Sequence, residues 1–478
     1  MRVLLAGGAG YLGRRLAERL IDDPAVHLRI LVADARKLSG PIRARAEIVE
    51  GDPLDTDVLG QAMESIDVAY YPLRYFGIGR GFEMLSRTFT ARFIEAAAKS
   101  GVRRIVYMGV AAGGDTTSNT LRSMAGAGEM LSAHHGKMEI VQLRTGAVVG
   151  SGGVFFEVPR SLVRNSPFIL APRWMEARLH IISVNDALEC LASAKDVNMG
   201  GNSVMDIGGE EVSFKEMITA TAEEMGLKRP LIGLPVTVPR LSALCLMLLT
   251  PLSYPLARAV VDILRMSRRR GQATGAEGAS EGLCVASGSF RAAVVEALQE
   301  TEGGNIVSRW TDSLADLSYT FSEEEIAHSL YRDTKSIDFG NLAPHVIFRA
   351  VKSIGGKRGW FSFDILWQIR GLMDKLMGGF GTSVGRRVES DLRVGDMLDV
   401  WRVVDVVEDR RLLLEAQMVV FGKAWLEYRI EGSTLIQTAY HAPRGIMGRL
   451  YWYSMLPFHA FIFRDMIEGV VKRAREMG

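Results

Sequence analysis

The chain's pattern predicts an α/β protein: a doubly wound parallel sheet followed by a smaller α+β domain. Three observations carry this. Short apolar runs that read as strands alternate with helix-spaced segments over the first 110 residues. A glycine triplet, Gly7, Gly10 and Gly13, stands between the first strand and the first helix. After about residue 305 the pattern changes to strands joined by tight turns and closed by a long helix. Strands separated by helices imply a parallel sheet covered on both faces, whereas strands joined by tight turns imply an antiparallel meander.

The elements follow in order. Arg2–Ala6 is a short apolar strand and Tyr11–Ile21 has helical spacing. His27–Ala33 and Ile48–Glu50 read as the next two strands, the latter closing at Gly51-Asp52. Val68–Tyr71 is a fourth strand, Phe82–Lys99 a helix and Arg104–Gly109 a fifth strand. Ile140–Arg144 and Ser203–Ile207 complete the set. Residues 267–289 are rich in Arg, Gly, Ser and Ala with little periodicity, which reads as a linker. The expected division is therefore 1–265, a connecting segment 266–304, and 305–478. In the last part, 345–378 mixes short strand and helix signals. Gly395–Val407, Arg411–Val420, Ala424–Glu431 and Thr434–Tyr440 read as strands. Leu450–Lys472 is a closing helix, apolar nearly all round.

Bulk properties exclude several classes. At 478 residues the chain exceeds one ordinary domain. Hydrophobic residues at 48% and charged residues at 23% are globular composition. A net charge of +2 gives no strong overall field for nucleic acid. Cys190, Cys245 and Cys284 are too widely spaced for a disulfide framework or a CxxC zinc site. No metal site is expected, and a reducing, cytoplasmic setting is the default. The N-terminus lacks the long apolar region of a signal peptide. Leu241–Ala257 carries no charge but is interrupted by Pro251 and Pro255, and Arg265, Arg268, Arg269 and Arg270 follow it. It reads as a buried helix pair with a basic tail, or as a peripheral contact of 241–270 with an anionic membrane.

The glycine triplet carries chemistry. The first glycine permits a tight turn, the second lets backbone N–H groups approach a pyrophosphate, and the third lets the helix pack on the strand. Gly7, Gly10, Tyr11, Leu12 and Gly13 are thus expected to hold a dinucleotide at the helix N-terminus. Asp34 lies 21 residues beyond Gly13, at the end of the second strand. There a carboxylate can accept from the adenine ribose hydroxyls, favouring NAD. Arg36 and Lys37 can instead pair with the 2′-phosphate of NADP. Asp52 is placed to accept from the adenine amino group, or to cap the next helix.

These residues resemble the short-chain dehydrogenase/reductase superfamily in its extended and atypical branches. The likeness rests on the 7/10/13 glycines, Glu50-Gly51-Asp52 and Gly101-Val102-Arg103-Arg104-Ile105-Val106-Tyr107. Leu143-Arg144-Thr145-Gly146, Val184-Asn185-Asp186 and Asp206-Ile207-Gly208-Gly209 continue it over about residues 1–265. The resemblance implies a Rossmann domain, an NAD or NADP cofactor with NAD preferred, and oxidoreductase chemistry by a Tyr acid/base, a following Lys and a Ser. Here Gly109, Thr120 and Met124 stand at those three positions. Arg122 is the candidate substitute, as a fixed cation polarising a carbonyl. Tyr107, His134, His135 and Arg74 are nearby alternatives, and Tyr71 or Arg74 is placed to line the nicotinamide side.

The C-terminal part resembles a domain of unknown function carried by a bacterial group of such proteins. Gly359-Trp360-Phe361, Asp364-Ile365-Leu366-Trp367, Leu392-Arg393-Val394-Gly395-Asp396 and Trp401-Arg402-Val403 bear the likeness. So do Pro443-Arg444-Gly445 and Leu450-Tyr451-Trp452-Tyr453. It is also similar to the helix-grip, START-like fold of lipid-binding proteins, which implies a cavity for a hydrophobic small molecule; a filled core is the alternative. A helix apolar on every face is expected to be buried, or to cover a cavity or a membrane. The expected function is an NAD(P)-dependent oxidoreductase acting on a hydrophobic substrate. The alternatives are a non-catalytic NAD(P)-binding module and an apolar-ligand carrier.

Overall fold

The computed structural model describes residues 1–71, 82–110, 119–134, 138–197, 201–235, 238–270, 288–314, 323–361, 364–376, 381, 386–388 and 391–477. The chain divides into two compact units: Met1–Thr250 with Tyr254–Tyr319, and Pro251–Ser253 with Thr320–Gly478.

The first unit opens with β1 (Arg2–Ala6), α1 (Tyr11–Ile21), β2 (His27–Val32), α2 (Gly40–Arg45), β3 (Glu47–Glu50) and α3 (Thr56–Met63). It continues with β4 (Val68–Tyr70), α4 (Phe82–Lys99), β5 (Arg104–Val110), α5 (Asn119–Ser132), β6 (Glu139–Thr145) and β7 (Ala147–Val149). Then come α6 (Val154–Asn165), β8 (Ile169–Pro172), β9 (Arg178–Ser183), α7 (Val184–Ser193), β10 (Ser203–Asp206) and β11 (Glu211–Ser213). The unit closes with α8 (Phe214–Glu224), β12 (Leu231–Leu234), α9 (Pro239–Leu249), α10 (Tyr254–Arg270) and α11 (Phe290–Glu302).

Seven strands form one parallel sheet in the order β10-β6-β5-β4-β1-β2-β3. Alternation along each strand loads both faces. Val3, Leu5, Ile30, Val68, Tyr70 and Val106 pack with Leu12, Leu16 and Leu20 of α1 and Leu188 and Leu191 of α7. Leu4, Leu31, Val49, Ala69 and Ile105 pack on the other face with Leu59 and Met63 of α3, Phe89 and Phe93 of α4, and Leu131 of α5. The strand order reverses direction between β1 and β4. In open sheets of this kind ligands sit in the crevice at such a point, beyond the strands' C-terminal ends.

The expected connecting segment 266–304 is corrected. α10 runs on to Arg270, and residues 290–302 are α11 rather than linker. Phe290, Ala293, Val294 and Ala297 of α11 are buried at helical spacing. Ser289 Oγ accepts from the Ala292 amide at 3.2 Å, and Glu210 Oε2 accepts from the Phe290 amide at 2.9 Å. The first unit therefore extends beyond the expected boundary at 304/305.

The second unit holds α12 (Glu323–Ala327), β13 (Tyr331–Asp338), α13 (Pro344–Lys352), α14 (Asp364–Leu376), β14 (Met397–Leu398) and β15 (Trp401–Val407). It ends with β16 (Arg411–Ala416), β17 (Gly422–Glu431), β18 (Thr434–Pro443) and α15 (Gly445–Met477). Its antiparallel sheet has the order β13-β18-β17-β16-β15-β14. Phe348, Trp401, Leu412, Leu426 and Leu435 pack against Phe463, Met466, Ile467 and Val470 of α15. Two expectations change here. Among the described residues 345–378 there are only helices, α13 and α14, and a short 3₁₀ turn. β13 has no apolar run to announce it, because Arg332, Asp333, Lys335 and Asp338 make it polar; its pairing with Thr434–His441 of β18 along its whole length establishes it.

The closing helix buries Phe463, Met466, Ile467 and Val470 in its second half, whereas its first half exposes Ile446, Leu450, Tyr453, Phe458 and Phe461. In α9 the leucines 241, 244 and 248 are exposed, whereas α10 buries Leu256, Val260 and Leu264. Among the described residues no helix is long and apolar enough to cross a membrane, and no cluster could hold a metal ion. Cys245 is a free thiol.

Candidate functional site: a glycine turn at the first strand and an apolar cavity in the second unit

The turn between β1 and α1 requires its glycines for different reasons. Gly7 has φ +78°, in the left-handed region. A Cβ on Gly13 would stand 2.2 Å from the Gly7 carbonyl oxygen, so only glycine lets α1 begin there. The Gly10 amide donates to that same carbonyl at 3.0 Å. Gly10 itself has ordinary extended backbone, φ −78° and ψ 176°, with no side-chain cap on α1. The amides opening α1 are thus presented at a glycine-lined turn, as a pyrophosphate requires. The Leu12 side chain is core, and any part it plays here is by its backbone. The Tyr11 ring is buried against the turn 150–153, and burial pushes its phenol up to about 12.

One amide of this turn is already engaged. The Tyr11 N–H donates to Ser313 Oγ at 3.0 Å in a buried contact. A Cβ on Gly10 would meet that same oxygen at 3.3 Å. Ser313 belongs to a 3₁₀ turn, Trp310–Leu314, within the stretch 305–478 that the sequence pattern groups with the other domain. No local signal near residue 313 points to residue 11; the two are 302 positions apart.

On the adenine side, Asp34 stands at the tip of β2 as expected, but its carboxylate is turned inward and only 3% exposed. It accepts from the Arg36 amide at 2.9 Å and from Nε and Nη2 of the Arg36 side chain at 3.0 Å each. The two residues proposed for opposite cofactor preferences are therefore partners of each other. Asp52 accepts from the Leu54 amide at 2.8 Å and shapes the turn after β3.

Tyr71, expected to line the nicotinamide side, is a buried wall. Its hydroxyl is 2.7 Å from Thr90 Oγ1, and its ring packs edge-on against Tyr107 and Phe93. The Tyr107 hydroxyl donates to the Met124 carbonyl at 2.9 Å, tying β5 to α5. Met124 is buried, and α5 carries neither Tyr nor Lys. Gly109 closes β5 where a Cβ would meet the Tyr107 ring at 3.0 Å, so a serine there would have to displace it. Arg122 lies on α5, but its side chain is outside the described residues, as are Arg74 and His135. His134 is partly buried, and its carbonyl accepts from Asn202 Nδ2 at 3.0 Å.

The second unit holds a partly open cavity of about 280 Å³. Its walls come from α14, the sheet and α15, with Trp367, Met373, Trp401, Met418, Tyr451 and Phe463 among them. The Trp367 and Trp401 indole N–H groups have no acceptor among the described residues. His459 also lines it, stacked on Phe463 at 4.3 Å, and burial holds its imidazole down at about 4. The imidazole is therefore neutral near neutral pH; Arg370, a charged residue of the lining, lies 3.9 Å from the Asp374 carboxylate, and with Trp425 the lining presents three unsatisfied indole donors.

Comparison with known proteins agrees with this division. Residues 7–145 match the NAD(P)H-binding family, and residues 326–466 match a protein family of unknown function, DUF2867. The chain is similar to a 3 beta-hydroxysteroid dehydrogenase/Delta 5-->4-isomerase of Mycobacterium tuberculosis, 28% identical over 144 residues. That match covers 27% of this chain and 36% of the relative, so it spans about a third of the relative's length. Among solved structures, a Citrobacter triphenylmethane reductase complexed with NADP(H) is 17% identical with TM-score 0.49, covering 62% of this chain and 99% of that one. A UDP-glucose 4-epimerase of Thermotoga maritima is 13% identical with TM-score 0.48, covering 63% and 99%. The first unit is an NAD(P)-binding domain of Rossmann type. The second is an antiparallel-sheet domain matching DUF2867, a family whose function is unknown.

Proposed function

We propose that the chain is an NAD(P)-dependent oxidoreductase of the atypical short-chain dehydrogenase kind, acting on a hydrophobic substrate. The observation that carries the reading is the glycine turn after β1, at the point where the strand order of the parallel sheet reverses. Gly7, Gly10 and Gly13 would admit the pyrophosphate, and the first amides of α1 would bind it once Tyr11 N–H is released. A bound nicotinamide would supply or accept the hydride. Without Tyr and Lys on α5, the polarising role falls to Arg122, a fixed cation on that helix, or to a bound water. An absent acid/base group typically costs 10²–10⁴-fold, so turnover on generic carbonyl compounds is slow.

A titration of the full chain with NADH and NADPH, followed by cofactor fluorescence, tests the reading. Binding by the wild type and its loss in Gly10→Val is the expected result. Equal affinity in the two proteins removes the glycine turn from the argument.

A second reading concerns the other unit. The cavity walled by Trp367, Trp401 and Trp425, with their unsatisfied N–H donors, suits an apolar molecule bearing a hydrogen-bond acceptor. Its volume is near the lower end of ligand pockets, roughly 300–1,000 Å³. Native mass spectrometry of the purified chain tests this; a consistently ligand-free protein that also ignores added apolar probes would make the cavity a packing feature only.

A further inference from the structure

One amide of the glycine turn is engaged by the chain itself. Ser313 Oγ takes the Tyr11 N–H, an amide of the first turn of α1. The close approach that Gly10 allows is used by the same oxygen. Beside it, the buried Asp312 carboxylate lies 3.8 Å from Arg14 Nε on α1. It brings negative charge to a helix N-terminus, as a phosphate would. A hydroxyl oxygen on the amide and a carboxylate next to it reproduce part of what the turn offers an anionic ligand.

The segment is held at several points. Ser308 Oγ donates to the Tyr11 carbonyl at 2.7 Å and accepts from Arg15 Nε at 3.1 Å. The Trp310 amide donates to the Gly152 carbonyl at 2.8 Å, and the Arg309 amide donates to Asp312 Oδ2 at 2.9 Å. A Cβ on Gly152 would stand 2.3 Å from the Ser308 carbonyl oxygen, so that turn also accommodates the segment closely. A short 3₁₀ turn is a marginal element, and one held by a few hydrogen bonds can open locally without unfolding its domain.

We infer that residues 308–313 are an internal occupant of the pyrophosphate cradle, a strap that a dinucleotide must displace in order to bind. This rests on the reading of the first unit as NAD(P)-binding. The strap lowers apparent affinity by the fraction of molecules in which it is closed, so loosening it raises affinity.

The test uses the full chain, with Ser313→Ala removing the contact to Tyr11 and Ser308→Ala loosening the other end. Titration with NADH and NADPH should show each variant binding about three- to tenfold tighter than wild type, the effect of one net hydrogen bond. Hydrogen exchange on the wild type supplies a readout that needs no variant. Saturating NADH should speed exchange of the 308–313 amides while Tyr11 N–H stays protected. If wild type and variants bind equally and 308–313 keeps its protection, the strap is wrong and the dinucleotide reading stands. If no protein, strapped or loosened, binds either nucleotide, both are wrong.

Discussion

Alanine at Gly13 and at Gly10 should separate what the fold needs from what the ligand needs. At Gly13 the added methyl would lie 2.2 Å from the Gly7 carbonyl oxygen and 3.0 Å from Gly8 Cα. Both neighbours are backbone, so no rotamer change relieves the clash. The turn must open by about 1 Å to restore ordinary contact, and overpacking of this kind costs about 1–3 kcal/mol. For a unit of this size each kcal/mol is worth roughly 2 °C, so the first unit should unfold about 2–6 °C lower. At Gly10 the methyl would meet Ser313 Oγ at 3.3 Å and the Gly7 carbonyl oxygen at 3.4 Å, on backbone that alanine adopts freely. Gly10→Ala should therefore unfold within about 1 °C of wild type. Its methyl nevertheless occupies the approach to the pyrophosphate, and dinucleotide affinity should fall by about tenfold or more, near 1.4 kcal/mol. Thermal unfolding followed by circular dichroism, with NADH titration on the same samples, reads both effects. A Gly13→Ala protein as stable as wild type would refute the packing argument. A Gly10→Ala protein with unchanged NADH affinity would refute the ligand argument.

Asp34→Ala frees Arg36 from its bidentate partner, so affinity for NADPH should rise several-fold relative to NADH; an unaltered ratio would confine the pair to shaping the turn. In the second unit, Ala439→Leu should fill part of the cavity and abolish binding of an apolar fluorescent probe while the fold persists. His459 is held below its ordinary value by burial, at about 4. The unfolded chain then binds more protons across about pH 4 to 6.5, so stability should fall by about 3 kcal/mol as pH drops through that window, and His459→Leu should flatten the slope. Glu427 accepts from Arg411 Nε at 2.6 Å, Arg429 Nη2 at 2.9 Å and the Tyr440 hydroxyl at 2.9 Å. Despite its burial, these partners hold its carboxyl below the ordinary value. Its stabilisation is present above the unfolded pKa and lost as pH falls through the lower folded one, and Glu427→Gln should cost about 3 kcal/mol in urea unfolding at pH 7.

Much of the fold was legible in the residues alone. The strand and helix alternation of 1–110 places its five strands and the helices α1 and α4, though not α2 or α3, because one-face burial imposes periods of 2 and 3.6 that local sequence must obey. The glycine turn was legible for the same reason: a strand, a left-handed Gly7 and a Gly13 with no room for Cβ are local demands. The meander of β15 to β18 announced itself through its turns. What escaped the reading was set by distant partners. β13 is a strand because β18 pairs with it along its length, not because its own polar residues prefer one. α11 did carry the spacing 290, 293, 294, 297, but its small residues were hidden behind a glycine- and serine-rich stretch.

By itself, then, the sequence determined the two architectures and the presence of a phosphate-type turn, since these follow from local sterics and hydrophobic periodicity. Only the tertiary structure decided the state of that turn. Ser313 meets Tyr11 across 302 residues, and Ser308 meets Arg15 across 293. Hydrogen bonds between groups far apart in the chain depend on how the whole unit closes, and no window of neighbouring residues records that.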